Sequence, residues 1–203
     1  EWIRLFHTCC DVVCDNSGNA YFIGDFTGTR NFAESWGEMD NKTSLGLRDV
    51  FMSKINADGS YGWTRCAGSS MSEDYAHALG IDRDGNVYYT GSFRYTVNFA
   101  ADWGMTDEKT SNGGAAFLTK VNSDGSYGET KQIGDDVTGD YIDIYALGFD
   151  QTGNMYLTGG FMHTIDFGMD WGVSDIIDSD DDNDRDVFLT RINANGTYAW
   201  TRE

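Results

Sequence analysis

The sequence predicts an all-β protein built from three copies of one four-stranded antiparallel unit, and two observations predict it. The first is a repeat. Gly18-Asn19-Ala20-Tyr21, Gly85-Asn86-Val87-Tyr88 and Gly153-Asn154-Met155-Tyr156 recur at intervals of 67 and 68 residues. Phe32, Phe99 and Phe167 keep the same steps, as do the Trp-Gly pairs beginning at Trp36, Trp103 and Trp171. A fixed period of this kind marks units that cannot bury their faces alone and therefore stack on neighbours. The second is composition. The 203 residues contain 25 Gly, no Pro and 14% aromatics, which suits strands, turns and a packed core and is unlike a disordered acidic tail. No helix-period stretch carries caps at its ends.

The second unit shows the elements in order. Ala78 to Asp82 reads as a short apolar first strand, followed by the turn Asp82-Arg83-Asp84-Gly85-Asn86. In that turn Asp offers an acceptor to its own backbone and Gly supplies a positive φ. A second strand runs from Val87 to Phe93. A third, Ala116 to Val121, alternates across two faces and enters the hairpin signal Asn122-Ser123-Asp124-Gly125-Ser126, after which a fourth begins near Tyr127. Gly24, Gly91 and Gly159 fall inside the second strand, where a missing side chain marks a bulge or a close backbone approach. Nine of the twelve Phe occupy three equivalent columns (26/93/161, 32/99/167 and 51/117/188), which reads as packing between and within units. The expected boundaries are 7–66, 67–134 and 135–203, with 1–6 as the last strand of a preceding unit.

Four strands in roughly 67 residues fit a propeller blade. Thr96-Val97-Asn98-Phe99, Thr110-Ser111-Asn112-Gly113 and Ala116-Phe117-Leu118-Thr119-Lys120-Val121, with Trp63-Thr64-Arg65, resemble the bacterial beta-propeller repeat family known as SBBP. The resemblance covers essentially the whole chain. It implies a large extracellular or cell-surface bacterial protein, and it does not imply a reaction. Three departures stand out: Glu129 replaces the expected Trp, Ala115 replaces Asp, and an acidic insert replaces the Thr-Ser-x-Gly loop in the third unit.

Trp2-Ile3-Arg4 matches the fourth-strand column of Trp63-Thr64-Arg65 and Trp200-Thr201-Arg202. These two segments are the expected assembly edges. Propellers use four or more blades, so the three units predict an incomplete ring, completed by a longer chain or by oligomerisation. Copies paired edge to edge give a ring if the rotation closes and a filament if it does not.

A net charge of −19 and a pI near 4.2 leave no electrostatic footprint for nucleic acid, and no apolar run is long enough for a transmembrane helix. The sharpest local feature is the acidic insert, where Asp178, Asp180, Asp182 and Asp184 supply hard oxygen ligands suited to Ca²⁺. Asp40, Asp107 and Asp175 recur four residues after each column Trp, either as weaker contributors to such sites or as turn anchors. Four cysteines lie in or beside the first unit. Cys66 with Cys9 or Cys10 is the expected disulfide, and Cys14 is expected in the core. Adjacent Cys9 and Cys10 point to opposite strand faces, which argues against zinc. No nucleophile elbow, Walker loop or zincin motif is present, and His7, His77 and His163 are scattered over the three units. The expected function is therefore a noncatalytic extracellular structural or interaction protein that self-associates. The alternatives are a carbohydrate- or protein-binding module of a larger surface protein, and a polysaccharide-active enzyme domain.

Overall fold

The computed structural model describes residues 9–134, 141–180 and 184–203. Among these residues sixteen strands follow one another, beginning with β1 (Asp11–Cys14), β2 (Ala20–Phe26), β3 (Thr29–Asn31), β4 (Asn41–Thr43), β5 (Asp49–Ile55), β6 (Tyr61–Ala67), β7 (Tyr75–Ile81) and β8 (Val87–Asn98). They continue with β9 (Glu108–Val121), β10 (Tyr127–Ile133), β11 (Tyr141–Phe149), β12 (Met155–Met162), β13 (Thr164–Asp166), β14 (Ile176–Asp178), β15 (Asp186–Ile192) and β16 (Tyr198–Arg202). They form three four-stranded antiparallel sheets: sheet I in the order β1-β2-β5-β6, sheet II in the order β7-β8-β9-β10, and sheet III in the order β11-β12-β15-β16. No described helix is long and apolar enough to cross a membrane.

The turn chemistry works as the residues predict. Asp82 Oδ1 accepts from the backbone N–H groups of Asp84 and Asn86, both at 2.9 Å, while Gly85 sits at φ 81°. Asn86 Oδ1 then accepts from Ser123 N–H at 3.1 Å, which ties the first turn of the unit to its second. The glycine column serves a close approach. A Cβ on Gly91 would stand 1.9 Å from the Tyr75 carbonyl oxygen, and one on Gly159 would stand 1.8 Å from that of Asp143. The backbone presses in because the first strand bulges there, skipping His77 in sheet II and Tyr145 in sheet III.

Strands two and three are longer than expected. In sheet II they continue as a ladder from Tyr95↔Ser111 to Asn98↔Glu108, and in sheets I and III the same segments form detached hairpins, β3–β4 and β13–β14. Each side hairpin closes over a one-turn 3-10 helix (Glu34–Trp36, Ala101–Trp103, Met169–Trp171) that ends in a left-handed glycine. The column tryptophan pins that turn down. The indoles of Trp36, Trp103 and Trp171 donate to the carbonyls of Gly59, Gly125 and Gly196. The phenylalanine columns form one ring cluster per sheet, edge-to-face in Phe93–Phe99 at 5.3 Å and tilted in Phe99–Phe117 at 4.9 Å.

The cysteine expectations fail for a geometric reason. Cys10 precedes β1 and Cys66 lies on β6, the opposite edges of sheet I, with β2 and β5 between them. Three strand spacings are about 14 Å, twice the separation a disulfide tolerates. Cys9, Cys10, Cys14 and Cys66 are all free thiols. Cys14 is exposed instead of buried because its side of β1 faces away from the other two sheets.

Candidate interaction surface

Sheets I and II meet as sheets II and III do, through the same columns. The outgoing face of sheet I buries Val50 and Met52 in a cluster with Leu79 of β7. The outgoing face of sheet II buries Ala116 and Leu118 in a cluster with Ile142 and Ile144 of β11, against which Leu147 packs. A lysine latch crosses each junction. Lys42 Nζ lies 2.8 Å from Asp102 Oδ2, which also accepts the Cys66 backbone N–H at 3.0 Å. Lys109 Nζ lies 2.9 Å from Asp170 Oδ2, which accepts the Gln132 N–H at 2.7 Å. At the first junction the Arg65 guanidinium sits between two indoles, 5.4 Å from the rings of both Trp63 and Trp103.

The two remaining faces carry the same columns without a neighbouring sheet among the described residues. On sheet III, Val187 and Leu189 occupy the positions of Val50 and Met52 and are 68% and 41% exposed. Trp200 and Arg202 stack on each other at 5.5 Å, as Trp63 and Arg65 do. On sheet I, Val12 stands where sheet II has the buried Leu79 and is 57% exposed. The latch positions differ here. Ile177 of sheet III takes the place of Lys42 and Lys109, and Ser35 of sheet I takes the place of Asp102 and Asp170. Trp2, Ile3 and Arg4 lie outside the described residues.

Asp40, Asp107 and Asp175 act as pins between the side hairpin and the fourth strand. Asp107 Oδ2 accepts from the Tyr127 hydroxyl at 2.6 Å and from Thr130 N–H at 3.1 Å. Asp40 and Asp175 repeat the contact with Tyr61 and Thr64, and with Tyr198 and Thr201. In the acidic insert, Asp178 accepts from Thr164 at 2.7 Å, the Asp180 N–H donates to Asp186 at 2.6 Å, and Asp184 accepts the N–H of Arg185 at 2.8 Å. Asp182 lies outside the described residues. Among the described residues no three His, Cys, Asp or Glu side chains converge into a metal-sized cluster.

The structure also assembles a polar cluster that sequence reasoning missed. Asp143, buried on β11, accepts from His77 of sheet II at 3.1 Å, from Tyr141 and from Tyr145, with Arg185 Nη1 at 3.7 Å. Burial pushes the Asp143 carboxyl up, but the hydrogen bonds from His77 and Tyr141 outweigh it and hold the carboxyl below its ordinary value. A parallel set on the first junction joins Arg48 to Asp25 and stacks it 5.4 Å from the Tyr75 ring. Ser92 also approaches His77, at 3.3 Å, but on the same ring nitrogen, Nε2, that meets Asp143. A serine-histidine-aspartate relay needs the two partners on opposite ring nitrogens, an arrangement this cluster does not have; its hydrogen bond from His77 to Asp143 ties sheet II to sheet III. Its only trace in the sequence is the column Cys10/His77/Tyr145, the bulged position of the first strand.

The beta-propeller repeat family model, SBBP, matches residues 62–92. That stretch runs from the fourth strand of sheet I through β7 and into β8 of sheet II, so the match spans a junction between units. No curated protein matches the chain.

Proposed function

We propose that this chain, which carries the beta-propeller repeat, is a noncatalytic structural and interaction protein whose active surfaces are its two open sheet faces. The repeat's family resemblance supports a site of action outside a bacterial cell, and on this reading its three sheets are blades of a ring left open. The observation that carries the reading is the exposure of Val187 and Leu189 on one face and Val12 on the other, at positions that are buried wherever two sheets meet. Each open face takes another sheet of the same kind.

A second copy of this chain suits the openings better than a standard repeat would. A standard neighbour would bring a lysine to Ser35 or an aspartate to Ile177, leaving a latch half-made. Sheet III of one copy against sheet I of another pairs Ile177 with Ser35 and strands no charge. The same mating would set Arg202 between Trp200 and the partner's Trp36, repeating the Trp63–Arg65–Trp103 sandwich.

Light scattering over a range of chain concentrations tests this. The expected result is a mass above one chain that returns to one chain in Leu189→Asp. A single-chain mass at every concentration overturns self-association and leaves further repeats of a longer chain as the source of the missing sheet.

A further inference from the structure

We infer that the wedge between sheets II and III is a binding pocket for one flat aromatic side chain of a partner peptide, of indole size. This goes beyond the self-association reading and stands on different residues, since it lies at a closed junction. The observation is a vacancy in the repeat. At the first junction, the Trp63 ring lies 6.2 Å from Tyr21, and its Nε1 is 3.5 Å from the point where a Cβ on Gly125 would stand. At the second junction the column residue is Glu129, and the matching point on Gly196 meets nothing within 4 Å.

The space is real and already shaped for a ring. A cavity of about 240 Å³ opens there, walled by Tyr88, Phe149 and Trp171 and edged by Lys120, Lys131 and Glu129. An apolar cavity of about 150 Å³ suffices for benzene, so this one has room for a fused bicycle. Tyr88 and Phe149 stand 5.3 Å apart, Lys120 lies 5.8 Å from the Tyr88 ring, and Lys131 lies 5.8 Å from the Trp171 ring.

Lys131 occupies the column of Arg65. A guest ring entering beside it would complete the cation sandwich that Trp63 completes at the first junction, on the side opposite Trp171. Glu129 holds Lys131 from the rim at 3.1 Å without filling the space, because its carboxylate is exposed. Leu118, Met155 and Ile192 complete the apolar part of the lining, and Asp82, Asp84, Asn193 and Asn195 add to its polar part; ligand pockets combine the two, and the chain itself shows which ring fits.

The test is a titration of the 203-residue chain with N-acetyl-tryptophanamide, followed by nuclear magnetic resonance, with N-acetyl-leucinamide and methyl glucoside as separate arms. The expected result is saturable shifts of the Trp171 indole N–H and of the Glu129 and Gly196 amides with the tryptophan probe. The leucine probe and the sugar should bind more weakly by about tenfold, which is the step of 1.4 kcal/mol. Glu129→Trp, which supplies the ring from within, should abolish the response, and Glu129→Gln, which leaves the cavity open, should keep it. Absence of saturable shifts in the wild-type chain, an undiminished response in a folded Glu129→Trp, or tighter binding of the sugar would each overturn the proposal. The wild-type comparison of the three probes decides the matter even if Glu129→Trp does not fold.

Discussion

Lys42 reaches out of sheet I to place its ammonium 2.8 Å from Asp102 of sheet II, and Lys109 repeats the contact with Asp170 of sheet III at 2.9 Å. In both cases the carboxylate also satisfies a fourth-strand N–H, that of Cys66 or Gln132. Removing the acid therefore strands a backbone donor as well as a charge. Asp102→Ala and Asp170→Ala should each cost about 1–3 kcal/mol of unfolding free energy. Lys42→Met, which leaves the N–H capped, should cost less than 1 kcal/mol, roughly the value of a partly exposed pair. Denaturant unfolding of the three variants measures the difference.

The bulge of the first strand in sheets II and III makes Gly91 and Gly159 intolerant of any side chain. Gly91→Ala and Gly159→Ala drive a Cβ into a neighbouring carbonyl oxygen and should lose about 2–4 kcal/mol or prevent folding. Gly148 is the internal control, because a Cβ there meets nothing within 4 Å. Gly148→Ala should leave stability unchanged or raise it by up to about 1 kcal/mol. Thermal midpoints of the variants give the answer directly.

Acidity should act on the chain in two windows. Burial raises the Asp74 carboxyl from 3.8 to about 6, even though the backbone N–H groups of Ser69 and Arg94 point at it. A carboxyl whose folded value lies above its unfolded value opposes folding when ionised, so its penalty is present above pH 6 and fades as the pH falls. Stability should rise between pH 7.5 and pH 5 by an Asp74 contribution on the order of 1 kcal/mol, and Asp74→Asn should remove that part of the slope. Asp143 and Asp150 have the opposite sign. Their carboxyls are held below the ordinary range, the first by His77 and Tyr141 against its burial, the second chiefly by hydrogen bonds from Asn154 and Thr152. What they contribute is present above the unfolded value of 3.8 and is lost as the pH falls below it. Carboxyl carbon titration of the folded chain assigns each midpoint.

Association of copies must work against a charge of −19 on each chain. Salt screens that repulsion within about 10 Å at 0.1 M, while the contact itself is apolar at Val187, Leu189 and Val12. Raising the ionic strength should therefore strengthen association, the reverse of what a salt-bridged interface shows. Sedimentation at low and high salt records the direction.

Much of the fold is legible in the residues because the repeat writes it three times. The Gly-Asn-x-Tyr turns and phenylalanine columns fall where the sheets place them. The side hairpins were hidden, since segments as short as Thr29–Asn31 and Asn41–Thr43 carry too few residues to show an alternation. The latches were hidden for another reason. Lys42 and Asp102 are 60 residues apart, and nothing local links a lysine in one unit to an aspartate in the next. His77 and Asp143, 66 residues apart, pose the same problem. The disulfide expectation failed because cysteine count and proximity in sequence say nothing about which edge of a sheet each thiol occupies. Glu129 was visible as a departure from the repeat, but its consequence, an open wedge, needed the neighbouring sheet in place.

Restoring the latch across the contact shows whether sheet III of one copy receives sheet I of another. Ile177→Lys and Ser35→Asp each introduce one half, and the dissociation constant of the chain is measured for both single variants and for the pair together. The double variant should associate about two- to fivefold more tightly than either single variant, the increment of a partly exposed ion pair. A double variant no tighter than either single variant, or a chain that stays single throughout, overturns the contact between the two faces.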